Sequence, residues 1–452
     1  MKSIFQKRTF GKRISSPQII ALGFLAIILV GALLLMLPVS SNDNSVTPFT
    51  NCFFTATSAT CVTGLITYDT LLHWSFFGRA VIILLIQTGG LGFMTLAALF
   101  SVIIRRNLSL KEKMTMTQSL SIERENIARL IKRIVTGTFL CEAAGGIILS
   151  LRFAFDYSLP TAIYRGFFIS VSAFCNAGFD VFGDRGEFSS LSCYAADPTV
   201  VLTVSALILI GGLGFFVWAD ILKKRRFKTL ELYSKVVVVT TVFLFVFAAV
   251  AFLLLENGAF LSGKTAGEKI LDSVFFSATL RTAGFATFDF SALKTATLAV
   301  AMIMMFIGGG SGSTAGGIKV STAALLVFAV RSALFGRKKV TIGKKTVSSS
   351  TVLQAAGLFI TMLFIILLSG TVISEVDGVP FVSALFEAFS AAGTVGLTVG
   401  ITPTLSAFSL WLLSTLMFFG RVGILTVIFA LSVKVKKNDE LISYPETKYT
   451  VG

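Results

Sequence analysis

The sequence predicts an all-α membrane protein made of four copies of one helix–half-helix–helix unit (M1–P–M2). That gives eight transmembrane helices and four re-entrant half-helices around a pseudo-fourfold pore. Three observations carry the prediction. Of 452 residues, 54% are hydrophobic and only 14% charged, against about 25% charged in soluble domains. Basic residues gather on alternate connections between apolar runs, and one short glycine-bearing tail recurs four times.

Eight runs are apolar and long enough to cross about 30 Å of hydrocarbon: 19–37, 77–104, 127–151, 200–222, 236–255, 293–335, 352–373 and 405–433. The first follows a basic start and could pass for a signal peptide. Its length and the lack of a small-residue cleavage site identify it instead as the first membrane helix. Between the members of each successive pair lies a shorter semi-polar segment: 48–60, 162–175, 270–280 and 380–392. These are too short to span and read as half-helices that enter and return.

The charge pattern sets the topology. The net charge is +16, and 29 of the 39 basic residues fall in segments 2–13, 105–133, 223–235, 331–345 and 434–448. The alternate connections are nearly neutral. The positive-inside rule places both termini and the basic connections in the cytoplasm, in a plasma (inner) membrane. Regular alternation between membrane runs is what topology requires, so it argues against a nucleic-acid patch. Forty-four phenylalanines against three tryptophans indicate apolar packing or lipid contact. The five cysteines show no metal spacing and read as free thiols, with Cys52 and Cys193 on the outer side. His73, the sole histidine, reads as a surface residue and leaves no histidine cluster for metal or catalysis. With no nucleophile–base set either, the chain does not read as an enzyme.

After each half-helix comes the same tail: TCVTGL (60–65), FCNAGF (174–179), LRTAGF (280–285) and AGTVGL (392–397). Gly64, Gly178, Gly284 and Gly396 lie 114, 106 and 112 residues apart. A second marker follows in each unit: GGLGF, GGLGF, GGSGS and GRVGI, starting 25, 33, 25 and 24 residues after the tail glycine. The repeat divides the chain into 1–106, 107–223, 224–345, 346–434 and a cytoplasmic tail 435–452. All four turns return on the non-cytoplasmic face, so the units close around one axis. Inverted transporter repeats would alternate in orientation.

Such turns suit cation passage. Rings of backbone carbonyls replace the water of a dehydrated cation without holding it too tightly. Aiming carbonyls inward needs backbone angles that glycine reaches readily, and each half-helix turns the negative end of its dipole towards the axis. The expected ligands are main-chain oxygens at Thr63-Gly64, Ala177-Gly178, Ala283-Gly284 and Val395-Gly396, with Thr60, Val62, Asn176, Thr282 and Thr394 beside them. Side-chain identity is expected to matter mainly through glycine itself. Gly89, Gly90, Gly211 and Gly212 read as close-packing residues.

With these residues in view, the chain resembles the Trk/Ktr/HKT superfamily of potassium transporters, most closely the KtrB-type membrane subunit. The resemblance runs from SSPQIIALGF (15–24) almost to the C-terminus, without the extra N-terminal helix pair of TrkH-type members. It implies potassium as the ion, because all four turns carry glycine, whereas some plant members with serine in the first favour sodium. It also implies a homodimer on a cytosolic KtrA-type nucleotide-binding ring, with the tail 434–452 contributing to dimer contact. The basic loops fit an acidic partner or anionic lipid equally. Sodium enters as a coupling or activating ion, and a sodium-coupled or less selective K+/Na+ transporter is the alternative.

Two intramembrane features complete the reading. The run 293–335 is interrupted by Gly308, Gly309, Gly310, Ser311, Gly312, Ser313, Thr314, Ala315, Gly316 and Gly317. Each glycine costs a helix about 1 kcal/mol against alanine, so a flexible loop that obstructs the pore is expected, like the family's intramembrane gate. Arg421 stands where the other units hold Gly90, Gly212 and Gly310. A charge at that depth costs about 3 kcal/mol or more, so it should face the pore and be satisfied by carbonyls of the loop. The resemblance implies that it opposes cations there. Asp180 reads equally as an attractor of cations and as a solvated loop acid, and Glu142 and Asp220 are ionisable groups without an assigned role.

Overall fold

The structure, a computed structural model, describes residues 16–92, 127–337, 339–343 and 345–431. The basic start 2–13, most of the basic loop 105–133 and the tail expected at a dimer contact lie outside these residues.

Each unit begins with one long helix and a half-helix. Unit one has α1 (Ser16–Leu35), half-helix α2 (Phe49–Cys61) and α3 (Phe76–Leu91). Unit two has α4 (Ile127–Phe153), half-helix α5 (Leu159–Cys175), α6 (Pro198–Leu213) and α7 (Phe215–Lys224). Unit three has α8 (Leu232–Glu256), half-helix α9 (Ala266–Thr279), α10 (Thr295–Phe306) and α11 (Val320–Leu334). Unit four has α12 (Ser349–Asp377), half-helix α13 (Phe381–Gly393), α14 (Ala407–Val422) and α15 (Ile424–Leu431). A two-residue hairpin (Thr341–Ile342 with Lys345–Thr346) sits in the basic connection before α12.

The helices α1, α4, α8 and α12 are each long and apolar enough to cross a membrane unbroken. The second helices differ from expectation. A break was expected only in unit three, where α10 ends at Phe306 ahead of the marker, but the second helices of units one, two and four also stop, each just before the last glycine of its marker. Gly92, Gly214, Gly312 and Gly423 have φ of +80°, +98°, +68° and +89°. The chain bends by 94° between α6 and α7. A hydropathy run passes over a lone glycine without a dip, which is why 200–222 and 405–433 read as continuous spans.

The first marker glycine of three units lies against the end of its own half-helix. A Cβ on Gly89, Gly211 or Gly420 would collide with the carbonyl oxygen of Thr60, Phe174 or Ala392, which are equivalent residues. On Gly90 it would meet the Cys175 side chain, 2.9 Å from its Cβ. Close backbone approach is what small residues permit in membranes. In units one, two and four these helix ends therefore fix where the half-helix stops.

Overpacking at such a site costs about 1–3 kcal/mol. Gly89→Ala and Gly211→Ala should each lower the thermal unfolding midpoint in detergent by several degrees. Gly258→Ala, where nothing lies within 4 Å of the added carbon, should leave it unchanged.

Candidate ion-conducting site

All four half-helices are followed by a left-handed residue at the same position of the repeat. Val62, Asn176, Thr282 and Thr394 take left-handed backbone, with φ of +58°, +61°, +62° and +51°. That conformation is unfavourable for β-branched residues, so the repetition at three such side chains marks a constraint imposed by the ends. The following N–H folds back on the helix in three units: Thr63 to the Ser58 carbonyl (2.8 Å), Ala177 to Ser172 (2.7 Å) and Val395 to Ser390 (2.8 Å). Ser58 and Ser390 also accept Gly64 N–H and Gly396 N–H on their hydroxyls, each at 3.0 Å. Unit three has Ala278 at that position and closes with Ala283 N–H on Thr279 (3.0 Å).

The four tail glycines meet in a closed ring. A Cβ on Gly64 would lie 2.6 Å from the Ala177 carbonyl oxygen, and one on Gly178 would lie 2.8 Å from that of Ala283. On Gly284 it would strike the Val395 carbonyl, and on Gly396 that of Thr63, which returns the ring to unit one. The structure thus brings together Thr63, Gly64, Ala177, Gly178, Ala283, Gly284, Val395 and Gly396. A cavity of about 370 Å3 opens on one side of the ring and is lined by all four glycines. Side chains contribute as well as glycine. Asn176 donates to the Arg281 carbonyl (3.0 Å) and so ties turn two to turn three.

The segment 308–317 lies on the side of this ring away from that cavity. Gly310 N–H donates to Gly212 (2.9 Å), Thr314 N–H to Gly211 (3.3 Å), and the loop's Gly312 carbonyl accepts Phe215 N–H (2.9 Å). The bend after Leu213 frees those groups from the helix. The Thr314 hydroxyl donates to the Phe174 carbonyl (3.1 Å) beneath turn two. A Cβ on Gly316 would collide with Thr394 beneath turn four. Gly308 N–H to Ile318 (2.8 Å) and Val320 N–H to Gly309 (3.0 Å) close the loop on itself. A slack segment was expected from its glycines. In this conformation its backbone is extensively paired, because buried N–H and C=O groups without water must find protein partners.

Arg421 crosses between units. It donates to the Thr314 carbonyl of the loop and to the Gly89 and Gly90 carbonyls at the end of α3, the last at 3.2 Å. Its partners are main-chain oxygens, so an ion pair is not what holds it among the described residues. A second cavity of about 290 Å3 lies beyond, lined by Arg421, Gly92, Gly312, Gly423 and Lys319. Ring, loop and arginine therefore separate two cavities.

Sequence reasoning missed two residues here. Lys319 donates to the Ala315 carbonyl (2.7 Å) and pins the loop's end. The Tyr233 hydroxyl, on α8, accepts Ser311 N–H at 3.0 Å. A Tyr at a helix start carries no spacing signal and reaches the loop only through the fold, while a lone Lys after GGI adjoins the loop without showing that its amine turns back on it. Of the residues left open, Asp220 pairs with Lys224 at 2.7 Å. Glu142 is 3% exposed and accepts Gln87 Nε2 at 3.3 Å. His73 is half-buried against Thr47 (2.9 Å) rather than a free surface residue. Cys52 is buried and Cys193 exposed.

The TrkH family, described as cation transport protein, matches residues 16–441. The chain belongs to the TrkH cation transport family. This TrkH-family chain is a KtrB-type member, a multi-pass membrane transporter and not an enzyme. It is 38% identical to the potassium/sodium uptake protein NtpJ of Enterococcus hirae over 99% of both chains. It is 36% identical to the Ktr system potassium uptake protein B of Bacillus subtilis over 97% of both. The crystal structure of the potassium transporter TrkH from Vibrio parahaemolyticus shares the fold, with a TM-score of 0.73 at 18% identity, covering 95% of this chain and 87% of that one.

Each loop contact is worth about 1 kcal/mol. Tyr233→Phe and Lys319→Met should each raise unstimulated cation flux into vesicles about 3- to 10-fold, with the thermal midpoint little changed.

Proposed function

We propose that this chain carries potassium ions across the plasma membrane through the ring of Thr63-Gly64, Ala177-Gly178, Ala283-Gly284 and Val395-Gly396 carbonyls. The closed glycine ring between two cavities is the observation that carries the reading. Four carbonyls directed at one axis, with half-helix C-termini behind them, stabilise a partly dehydrated monovalent cation. The segment 308–317 is the gate. It occupies the space under the ring, and ions pass once it leaves Gly211, Gly212 and Thr394. Arg421 adds a positive charge on the ion path and holds the gate by its Thr314 bond, so its withdrawal and the loop's movement are one event.

Curated relatives named for potassium uptake support potassium as the ion. The Ktr system names of two relatives support a multi-subunit assembly, in which a homodimer of this chain rests on a cytosolic KtrA-type nucleotide-binding ring. Both termini then face the cytoplasm, where the basic connections meet the partner or anionic lipid. The name of the relative from Enterococcus hirae, potassium/sodium uptake protein, supports a second reading in which sodium is a coupling ion or a second substrate.

The test is potassium uptake in cells lacking their own uptake systems, with a cytosolic partner co-expressed. Wild type should restore growth at low potassium. Gly64→Ser adds a side chain at φ +100° and against the Ala177 carbonyl. It should reduce K+/Na+ discrimination about tenfold, a change of about 1.4 kcal/mol. Deleting residues 310–314 should give faster or unregulated flux. Uptake indifferent to Gly64 would make the turns packing devices and sink the reading. A strict dependence on the sodium gradient would favour the second one.

A further inference from the structure

The outer cavity is a wide, asymmetric vestibule, and the asymmetry is chemical. Its lining includes no Lys, Arg or His among the described residues, but it includes Asp180 and Asp289. Asp289 sits exposed at the rim, with both oxygens engaged by Ser291 (2.8 and 2.6 Å). Asp180 is different. It is 8% exposed, follows Gly178 by two residues, and therefore has its Cα within about 7 Å of the ring.

Its carboxylate is incompletely used. Oδ1 accepts Phe182 N–H at 3.1 Å, while Oδ2 accepts no hydrogen bond from another described residue. The neighbouring charges are committed elsewhere. Asp69 is held by Leu71 and Leu72 N–H (2.9 Å each) and Phe188 N–H (3.0 Å). Asp184 is paired with Arg165 at 2.9 Å, and Arg185 donates to the Tyr157 hydroxyl at 2.8 Å. Units one, three and four place no acid at the equivalent position: Ile66, Ala286 and Thr398 stand there. A carboxylate this enclosed, facing a water-accessible space beside a cation ring, has a cation as its natural counter-charge.

We propose that Asp180 forms an outer cation site, where a hydrated monovalent cation waits before entering the glycine ring from the unit-two side. The site takes the ion with its water, since one carboxylate oxygen cannot replace a hydration shell. It raises the local cation concentration rather than selecting among ions; selection belongs to the carbonyl ring. A divalent cation of higher charge density occupies the same site without entering the ring, and competes. This inference rests on the potassium reading above.

A unit charge about 7 Å from the entrance, in partly hydrated surroundings, changes cation occupancy about 3- to 30-fold. The test uses the full chain in potassium-uptake-deficient cells with the partner co-expressed. Asp180→Asn retains an acceptor for Phe182 N–H and removes the charge. It should raise KM for potassium about 3- to 30-fold, with maximal rate and K+/Na+ discrimination little changed, and Asp180→Glu should restore a low KM. External Mg2+ should inhibit wild type competitively and Asp180→Asn markedly less. An unchanged KM in Asp180→Asn overturns the proposal, as does a fall in maximal rate alone, which marks Asp180 as a fold support. If Asp180→Asn does not accumulate in the membrane, the wild-type Mg2+ arm decides: absence of competitive inhibition overturns the proposal. Wild type that transports potassium while Asp180→Asn matches it leaves the ring reading intact. Wild type whose uptake ignores Gly64→Ser sinks both.

Discussion

Everything in this structure depends on four backbone turns approaching one another more closely than any side chain allows. The carbonyls of Thr63, Ala177, Ala283 and Val395 each lie against the glycine of the preceding unit, in sequence around the ring. That closeness is maintained from behind. Gly89, Gly211 and Gly420 let the second helices press against the carbonyls of Thr60, Phe174 and Ala392. Thus two sets of glycines, one in the turns and one in the helices, serve one geometric requirement. The left-handed residues Val62, Asn176, Thr282 and Thr394 show where the strain of that requirement is taken up. Such strain persists only where surrounding structure over-determines it.

A second constraint comes from the membrane. Hydrocarbon offers no hydrogen bonds, so a helix that breaks inside it must give its freed groups partners within the protein. The bend at Gly214 frees Gly211, Gly212 and Phe215, and the unit-three loop takes them. The end of α3 frees Gly89 and Gly90, and Arg421 takes those. The breaks in units one and two thus create the acceptors that hold the loop and the arginine of units three and four. The copies of the pseudo-fourfold repeat therefore differ in what they give: three contribute acceptors or braces, and unit three contributes the loop they hold.

The chemistry likewise departs from fourfold symmetry. Ala278 replaces the serine that braces Gly64 and Gly396 in units one and four, and turn three leans instead on Asn176 of turn two. Asn176 was singled out for its place beside a carbonyl ring, and its amide also joins two turns. Asp180 breaks the symmetry in one cavity and Arg421 in the other, so an acid and a guanidinium flank the ring at opposite faces.

How much of this was legible beforehand follows from what each signal requires. Composition, the alternation of basic clusters and the fourfold recurrence of a glycine tail are properties of the chain read in order. They sufficed for the membrane class, the repeat, the half-helices and the four glycines, because a membrane filters sequences by length and polarity. Arg421 was visible as a charge in an apolar run, and the glycine-rich segment 308–317 as an interruption of another. The helix breaks of units one, two and four were not, because one glycine at positive φ leaves no mark in a hydropathy run. Tyr233 and Gln87 were not either, because each matters through a residue far away in sequence and near only after the units pack; Lys319 bonds only four residues back, but a lysine beside a loop shows nothing of where its amine turns. Sequence by itself determined which backbone is loose and which is greasy. Only tertiary structure decided which carbonyl each freed group finds, since that depends on how closely four separate turns can meet.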